Sequence, residues 1–287
     1  MLGSLLGVVF DGFAYGMLLF VLSVGLSVTL GMMNFVNLAH CSFAMLGGYV
    51  TVTLMNGLGW PFFATLPAAF LAAAVLSVAL ERTLYRRLYR AGELDQCLLT
   101  IGIVFVSIAV AAYVYGTIQQ PVQLPAYLRG SVSFLDIHFG LYRLFLVGIG
   151  LAITLVVVAS LELTRFGARV RAAVDNQRMA RGLGIDVDRT FAITFAVGSG
   201  LAGLGGALSI EMIGLDPAFA FAYLIYVLIV VSVGGLGSIR GSLVAAILLG
   251  ISDAAGKYYV PQLGAFLIYL VMVGLLMWRP AGLFAGR

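Results

Sequence analysis

Long apolar stretches without charge dominate the pattern of hydrophobic and polar positions along this chain. No Asp, Glu, Lys or Arg occurs between Gly12 and Leu80, whereas a helix that crosses a bilayer needs only about 20 apolar residues. Because the bilayer core holds no water for unpaired backbone groups, stretches of this length are typical of helices, and barrel strands would be about ten residues long with alternating polarity. The pattern predicts an all-α, polytopic integral membrane protein.

The apolar runs divide into nine candidate transmembrane or re-entrant segments. They cover residues 7–30, 34–56, 61–80, 97–116, 144–161, 190–210, 220–237, 241–254 and 260–278. The runs 220–237 and 241–254 are short and flank a glycine-rich turn, so the pattern allows either two spans or a re-entrant pair. We therefore expect about eight to nine helices in a single transmembrane domain over residues 1–287.

The basic residues give the chain an orientation, since Lys and Arg gather on the cytoplasmic side of a membrane. One orientation leaves only Arg129, Arg143 and Lys257 outside. The residues that it places inside are Arg82, Arg86, Arg87, Arg90, Arg165, Arg169, Arg171, Arg178, Arg181, Arg189, Arg240, Arg279 and Arg287. The charge distribution thus predicts an N-terminus outside and a C-terminus inside.

Two loops are long enough to have structure of their own. The external loop 117–140 contains an alternating stretch from Ser131 to His138 that predicts a short strand or hairpin. The internal loop 163–189 predicts one amphipathic helix, which ends at Gly182 and Gly184. Such a helix could lie on lipid headgroups or fill a groove on a cytosolic partner, and the pattern alone favours neither.

Three polar side chains stand at helical spacing inside the second apolar run. Asn34, Asn37 and His40 follow one another at i, i+3 and i+6, which places them along one side of a helix. They could form hydrogen bonds between packed helices, or they could line a pathway at a point where a helix is interrupted. Both interpretations stay open at this point.

The composition excludes a soluble domain and limits the chemistry. The chain is 62% hydrophobic and 10% charged, with a mean hydropathy of +1.10, against about 25% charge in ordinary soluble domains. The net charge of +4 belongs to membrane topology, so it indicates no nucleic acid. The single lysine, Lys257, is followed by Tyr258 and does not fit a phosphate-binding loop. We expect neither an enzyme nor a cofactor site in this chain.

Two further patterns have a structural interpretation. Gly198, Gly200 and Gly203 have the spacing of a nucleotide-binding fingerprint, but they lie in an uncharged run and predict close helix packing instead. The charged residues nearest to membrane depth fall at outer segment ends, where hydration lowers the free-energy cost of the charge. Their position there argues against ion coupling. They are Asp11, Glu211, Asp216, Asp253 and Lys257.

Four segments together carry a family resemblance. They are residues 25–49, the cytosolic stretch 164–199, the glycine-rich turn 234–241 and the ending 279–284, which reads Arg-Pro-Ala-Gly-Leu-Phe. In combination they resemble the branched-chain amino acid ABC importer permeases of the LivH type. The resemblance covers nearly the whole chain and implies one permease domain over residues 1–287.

The resemblance implies a transport subunit of the bacterial inner membrane that moves branched-chain or related amino acids by alternating access. The implied partners are membrane lipid, a second related permease in a heterodimer, two cytosolic ATPases that use ATP and Mg²⁺, and a periplasmic substrate-binding protein. The internal helix from Arg165 to Gly184 would be the coupling helix that docks on an ATPase. Its implied contact residues are Arg165, Gly167, Arg169, Arg171, Asn176, Arg178 and Gly184, while Asn34, Asn37 and His40 would line the pathway.

A second class of function remains open from the sequence. A homo-oligomeric carrier or channel for a small solute such as urea or an amide would need no ATP and no partner. The long internal amphipathic helix and the absence of carboxylates at the centre of the spans argue against it.

Overall fold

The structure, a computed structural model, describes residues 2–33, 35, 37–88, 91–122, 124–134 and 137–284. These residues form the helices α1 (Leu2–Met33), α2 (His40–Val52), α3 (Phe62–Leu80), α4 (Arg86–Leu88), α5 (Glu93–Tyr115), α6 (Leu141–Glu162), α7 (Arg165–Asp175), α8 (Gln177–Gly182), α9 (Val187–Ser209), α10 (Phe219–Gly234), α11 (Ile239–Tyr259) and α12 (Gly264–Trp278). Two π-helical segments, Thr53–Gly57 and Glu81–Tyr85, extend α2 and α3, and a 3₁₀ turn covers Ala126–Leu128.

The helical membrane fold is as the apolar pattern predicts. Within the described ranges, six helices are long and apolar enough to cross a bilayer: Gly3–Gly31, Phe62–Leu88, Glu93–Tyr115, Leu141–Glu162, Val187–Ser209 and Ile239–Tyr259. The helices Phe219–Gly234 and Phe266–Trp278 are apolar but shorter. The short runs at 220–237 and 241–254 are therefore α10 and the longer α11, which pack against each other across a four-residue turn.

The external loop contains the predicted hairpin. Strands β1 (Ser131–Phe134) and β2 (Ile137–Gly140) pair antiparallel, with Ser131 opposite Gly140 and Ser133 opposite His138. The hairpin contacts the first part of α1 through β2. It marks one end of the bundle, which we call the hairpin end.

The internal loop differs from its prediction as a single helix. The chain breaks at Asn176, whose φ of −152° and ψ of 98° are extended. The Asn176 Oδ1 accepts a hydrogen bond from the backbone N–H of Met179 at 3.0 Å, so this residue ends α7 and caps α8. An asparagine side chain competes for backbone donors in this way, which is why a continuous helical pattern can break at one. Gly184, with φ of +81°, then ends the helical stretch as predicted.

The charged residues sort to the two ends of the bundle. Arg86 and Arg181 both pair with Asp188, and Arg240 pairs with Glu162, at the end that we call the basic end. At the hairpin end Asp11 pairs with Arg143, and Asp253 pairs with Lys257. Each of these five ion pairs joins residues that the charge distribution places on the same side of the membrane.

Helix α9 lies at the centre of the bundle and packs against α1, α2 and α3. The approach is close because small residues face each other. A Cβ on Gly203 would come within 2.5 Å of the Cβ of Ala73, and one on Gly206 would come within 2.5 Å of the carbonyl carbon of Ala44. Gly200 lies under the ring of Phe70. The G-x-G-x-x-G spacing of α9 is thus a helix-packing surface, as expected from its uncharged context.

We predict that Gly203→Val lowers the free energy of unfolding by about 1–3 kcal/mol or more, because the added methyl groups meet packed neighbours. The matched control is Gly148→Val on α6, where an added Cβ has no atom within 4 Å. Thermal denaturation in mild detergent should show a lower midpoint for the first variant and an almost unchanged midpoint for the control. Equal midpoints for the two variants would contradict the packing account.

Candidate functional site

The interruption between α1 and α2 lies deep in the bundle. The Nε2 atom of His40, the first residue of α2, is 2.9 Å from the backbone oxygen of Leu22, well before α1 ends at Met33. Leu22 and Met33 are separated by about 16 Å along a helix axis. The chain therefore runs back beside the end of α1 before α2 starts, so α2 begins at the depth of the middle of α1.

Asn37 lies in this interruption and His40 is the first residue of α2, so the predicted placement of Asn37 and His40 along one helix is wrong for Asn37. Asn37 and His40 are each 1% exposed. The Asn37 Oδ1 accepts a hydrogen bond from the backbone N–H of Ala39 at 3.1 Å, while the Asn37 Nδ2 is buried and has no hydrogen-bond partner among the described residues. Asn34 lies outside the described residues. An unpaired buried amide is costly, so packing alone leaves Asn37 unexplained. The hydroxyl of Tyr85, whose ring packs against Phe35, is likewise buried without a partner among the described residues.

Four aromatic side chains pack together beside the interruption. Phe35 from the break, Phe43 from α2, Tyr85 from the π-helical end of α3 and Phe195 from α9 are each 2% exposed or less. Ring centroids are 5.3 Å apart for Phe35 and Tyr85 and for Tyr85 and Phe195, and 6.1 Å apart for Phe43 and Phe195. We call these four residues the aromatic cluster. It holds the interruption against α9 near the basic end.

The segment α7–α8, which we call the coupling segment, is attached to the basic end of α9. Ala173 of α7 and Ala180 of α8 form a small separate core with Val187 and Phe191 of α9. Arg181 of α8 and Arg86 of α4 place their guanidinium nitrogens 2.8 and 2.7 Å from the two carboxylate oxygens of Asp188. Ion pairs of this exposure contribute little individually, so the apolar core carries most of the attachment.

The coupling segment is also attached to α6. Gly167 lies on the backbone of Leu161, where a Cβ would come within 2.5 Å of the Leu161 carbonyl carbon. The guanidinium of Arg171 donates a hydrogen bond to the backbone oxygen of the same residue. The Oγ1 atom of Thr164 caps α7 by accepting the N–H of Gly167 at 3.2 Å. Gly167 and Arg171 therefore have contacts within the chain that account for them.

The remaining predicted coupling residues face outward. Arg165, Arg169 and Arg178 are exposed and form no ion pair within the described part of the chain. Asn176 is occupied as the cap of α8, and Gly184 ends the segment. Large apolar side chains beside these arginines are also exposed: Leu163 at 83%, Met179 at 68% and Leu183 at 80%. The contact role predicted for the seven residues stays a prediction.

A polar cavity of about 540 Å³ opens at the hairpin end. It is lined by both outer ion pairs, Asp11 with Arg143 and Asp253 with Lys257, together with tyrosines. The Lys257 Nζ is 2.7 Å from Asp253 Oδ2 and 5.6 Å from the ring centroid of Tyr15. The charge pattern predicts these residues at outer segment ends, but it does not predict that they line one cavity. Hydropathy does not determine how each helix is rotated about its own axis. The described residues contain no group of three or more side chains suited to hold a metal ion.

These features define a polytopic helical membrane protein with an interrupted span and an amphipathic helical segment attached to its central helix. A family model described as branched-chain amino acid transport system / permease component matches residues 8–276. The chain belongs to this family, which is a family of transport permeases and not of enzymes.

Curated relatives agree over most of their length. The chain is 27% identical to the probable branched-chain amino acid transport permease protein LivH of Methanocaldococcus jannaschii, over 94% of this chain and 89% of the relative. It is 26% identical to the high-affinity branched-chain amino acid transport system permease protein LivH of Escherichia coli strain K12, over 96% and 93%. The LivM permease protein of the same strain is 27% identical over 93% of this chain and 68% of LivM. No solved structure matches the chain.

We predict that Phe195→Ala in the aromatic cluster lowers the free energy of unfolding by about 3–5 kcal/mol, the usual cost of emptying a buried aromatic site. Phe266→Ala is the control, because Phe266 is 61% exposed on the bundle surface. Thermal or detergent-induced unfolding of the purified chain measures both. A Phe195 variant as stable as the Phe266 variant would show that the cluster does not hold the interruption in place.

Proposed function

We propose that this chain is one of two permease subunits of an ATP-binding-cassette importer that moves branched-chain amino acids across the bacterial inner membrane. The family match over residues 8–276 and the printed names of the LivH and LivM relatives support this substrate class. The structural observation that carries the proposal is the attachment of α7–α8 to the basic end of α9. The attachment gives a cytosolic ATPase a mechanical link to the central helix, which a carrier without an ATPase does not require.

The proposed partners follow from the same observations. A chain that is similar to both LivH and LivM fits a pair of related permeases, so we infer a heterodimer. Two cytosolic ATPases would use ATP and Mg²⁺, and a periplasmic binding protein would deliver the substrate. The placement of the basic end on the cytoplasmic side, with the N-terminus outside and the C-terminus inside, is supported by the concentration of arginines at that end.

The proposed coupling runs through packed side chains of three neighbouring elements. An ATPase would move α7 and α8, which share a core with Val187 and Phe191 of α9. One turn further along α9, Phe195 contacts Phe35 within the interruption and Phe43 of α2. Because packed interiors transmit displacement with little compression, a shift of the coupling segment reaches the interrupted span through α9.

The proposed translocation step uses the interruption itself and no covalent chemistry. Asn37 and His40 lie where backbone and side-chain polar groups occur at membrane depth, and Asn34 would belong to the same stretch. The unpaired Asn37 Nδ2 supports this assignment, since its N–H groups offer donors to the carboxylate of an amino acid once the packing opens. The aliphatic remainder of the substrate matches the apolar side chains of the aromatic cluster beside the interruption.

The proposed ATPase contact surface combines the exposed arginines Arg165, Arg169 and Arg178 with neighbouring apolar side chains. Arginine and large apolar residues are enriched in protein interfaces. The other predicted contact residues have contacts or backbone conformations within the chain that suit a supporting role, in which they shape the coupling segment. These residues are Gly167, Arg171, Asn176 and Gly184.

We predict that Arg169→Glu combined with Arg178→Glu reduces copurification of the ATPases by about tenfold or more, because reversed charges lose favourable contacts and add repulsion across the interface. The control is Arg129→Glu in the external loop, which changes one charge at the opposite end. Affinity capture through a tag on this chain, followed by quantification of ATPase subunits, measures the effect. Full ATPase recovery with the double variant would contradict the proposed surface.

We also predict that Asn37→Ala lowers ATP-dependent leucine uptake into proteoliposomes about fivefold or more while ATP hydrolysis by the reconstituted complex continues, as the loss of one hydrogen bond to a charged group commonly has this size. Asn56→Ala is the matched control, because Asn56 is exposed and its Nδ2 donates to the backbone oxygen of Pro121 at 3.0 Å. Unchanged leucine uptake by Asn37→Ala would remove this residue from the pathway. Leucine uptake by the wild type without ATP would contradict the proposal that the complex is an ATP-driven importer.

A further inference from the structure

A groove of about 870 Å³ runs along the outside of the bundle between α3 and α9, from the basic end toward the middle. One wall is formed by Phe70, Ala74 and Val78 of α3, which follow one another at intervals of four residues and continue to Arg82. Residues at this spacing lie above one another on a helix. The α9 side adds the small residues Ala192 and Ala196, followed by other apolar side chains, and Arg189 near the basic end. We call this feature the basic-end groove.

The polar end of the basic-end groove offers two unpaired guanidinium groups. Arg82 and Arg189 are exposed and form no ion pair within the described part of the chain. Three carboxylates, those of Glu81, Asp186 and Asp188, line the same end. Asp188 binds two arginines, Asp186 accepts the backbone N–H of Arg189 at 2.9 Å, and Glu81 is only 3% exposed. The guanidinium groups of Arg82 and Arg189 therefore remain available to an anionic group of a ligand.

The remainder of the basic-end groove is apolar and has the length of one membrane leaflet. From Arg82 to Phe70 the helix rises by about 18 Å at 1.5 Å per residue. Half of the hydrocarbon core of a bilayer is about 15 Å thick. The floor of alanines leaves a slot between two helices, which suits a chain of methylene groups better than a helix of a partner protein with a diameter of about 10 Å.

We propose that the basic-end groove is a binding site for a glycerophospholipid of the cytoplasmic leaflet. Its phosphate lies between Arg82 and Arg189, and one acyl chain lies along Ala74, Ala196 and Phe70. Guanidinium groups bind phosphate oxygens with charge-assisted hydrogen bonds. Since the groove is bounded by α9, a bound lipid contacts the same helix that carries the aromatic cluster. The site is independent of the proposed import function, because lipid binding is measured without ATP and without transport.

The test is native mass spectrometry of the full-length chain, purified in its native assembly, stripped of lipid and titrated with palmitoyl-oleoyl-phosphatidylethanolamine. The variant Arg82→Gln with Arg189→Gln should weaken the first binding event about tenfold or more, since hydrogen bonds to charged groups are lost. The matched control is Arg87→Gln, an exposed arginine of the same segment that does not line the groove. It should bind the lipid as the wild type does. Wild-type affinity in the double variant, or an equal loss in the control, would overturn the proposal.

A second measurement uses the unaltered chain and does not depend on how variants fold. Membranes containing a phosphatidylethanolamine with a photoactivatable acyl chain are irradiated, and the labelled peptides are identified. We expect label within residues 70–82 and 189–197, at a level at least severalfold above that on the lipid-exposed face of α5. Uniform labelling of α5 and the groove would overturn the proposal. Label on α5 with none within residues 70–82 and 189–197 would mean that lipid does not reach the groove, and it would overturn the proposal as well.

Discussion

The close approach of backbones around α9 is the constraint on which the rest of this structure depends. Inside a bilayer, lipid tails are as apolar as leucine, so helices associate through packing and hydrogen bonds with little help from the hydrophobic effect. Small residues make that packing possible. The backbone of α9 packs against Gly25 of α1 at Gly198 and against Gly47 of α2 at Gly203. The ring of Phe70 from α3 packs on Gly200. Three helices thereby share one central partner.

This arrangement gives α9 two functions at its basic end. Val187 and Phe191 form the small core with the coupling segment, and Phe195 packs in the aromatic cluster against Phe35 of the interruption and Phe43 of α2. The polar groups of the interruption, such as His40 against the Leu22 backbone oxygen, are held in place by the same packing. A helix fixed so closely to its neighbours is suited to pass on a displacement, whereas a loosely packed helix would absorb it.

Much of the fold was predictable because hydropathy and charge report on burial in lipid and on sidedness. The apolar runs predicted the helices, and the alternating stretch after Ser131 predicted the hairpin. Helix α3 ends at Leu80 as the apolar run does, but the helical path beyond it was not predicted. It continues through the π-helical segment and α4 to Leu88, past the charged residues Glu81, Arg82 and Arg86. Long basic side chains reach the membrane surface from within a helix. That continuation brings Tyr85 into the aromatic cluster, so the cluster was missed.

The candidate site was predictable only in part, for a related reason. Spacing placed Asn37 and His40 on one side of a helix, but it could not show that α2 starts beside Leu22. In the internal loop the helical pattern continued through Asn176, where a side-chain cap breaks the helix. Arg171 looked equivalent to Arg169 in sequence, and only the fold shows that it bonds to the Leu161 backbone. Such contacts depend on tertiary geometry that one sequence does not specify.

The central claim is that the coupling segment and α9 move as one body. It is tested most directly by the distance between spin labels at Met179 of α8 and Val197 of α9, both of which are exposed. The measurement compares nucleotide-free and vanadate-trapped states of one assembled preparation that transports leucine. The account predicts the same distance distribution in both states. A distribution that shifts or splits on trapping would mean that the coupling segment moves relative to α9, and it would contradict the account.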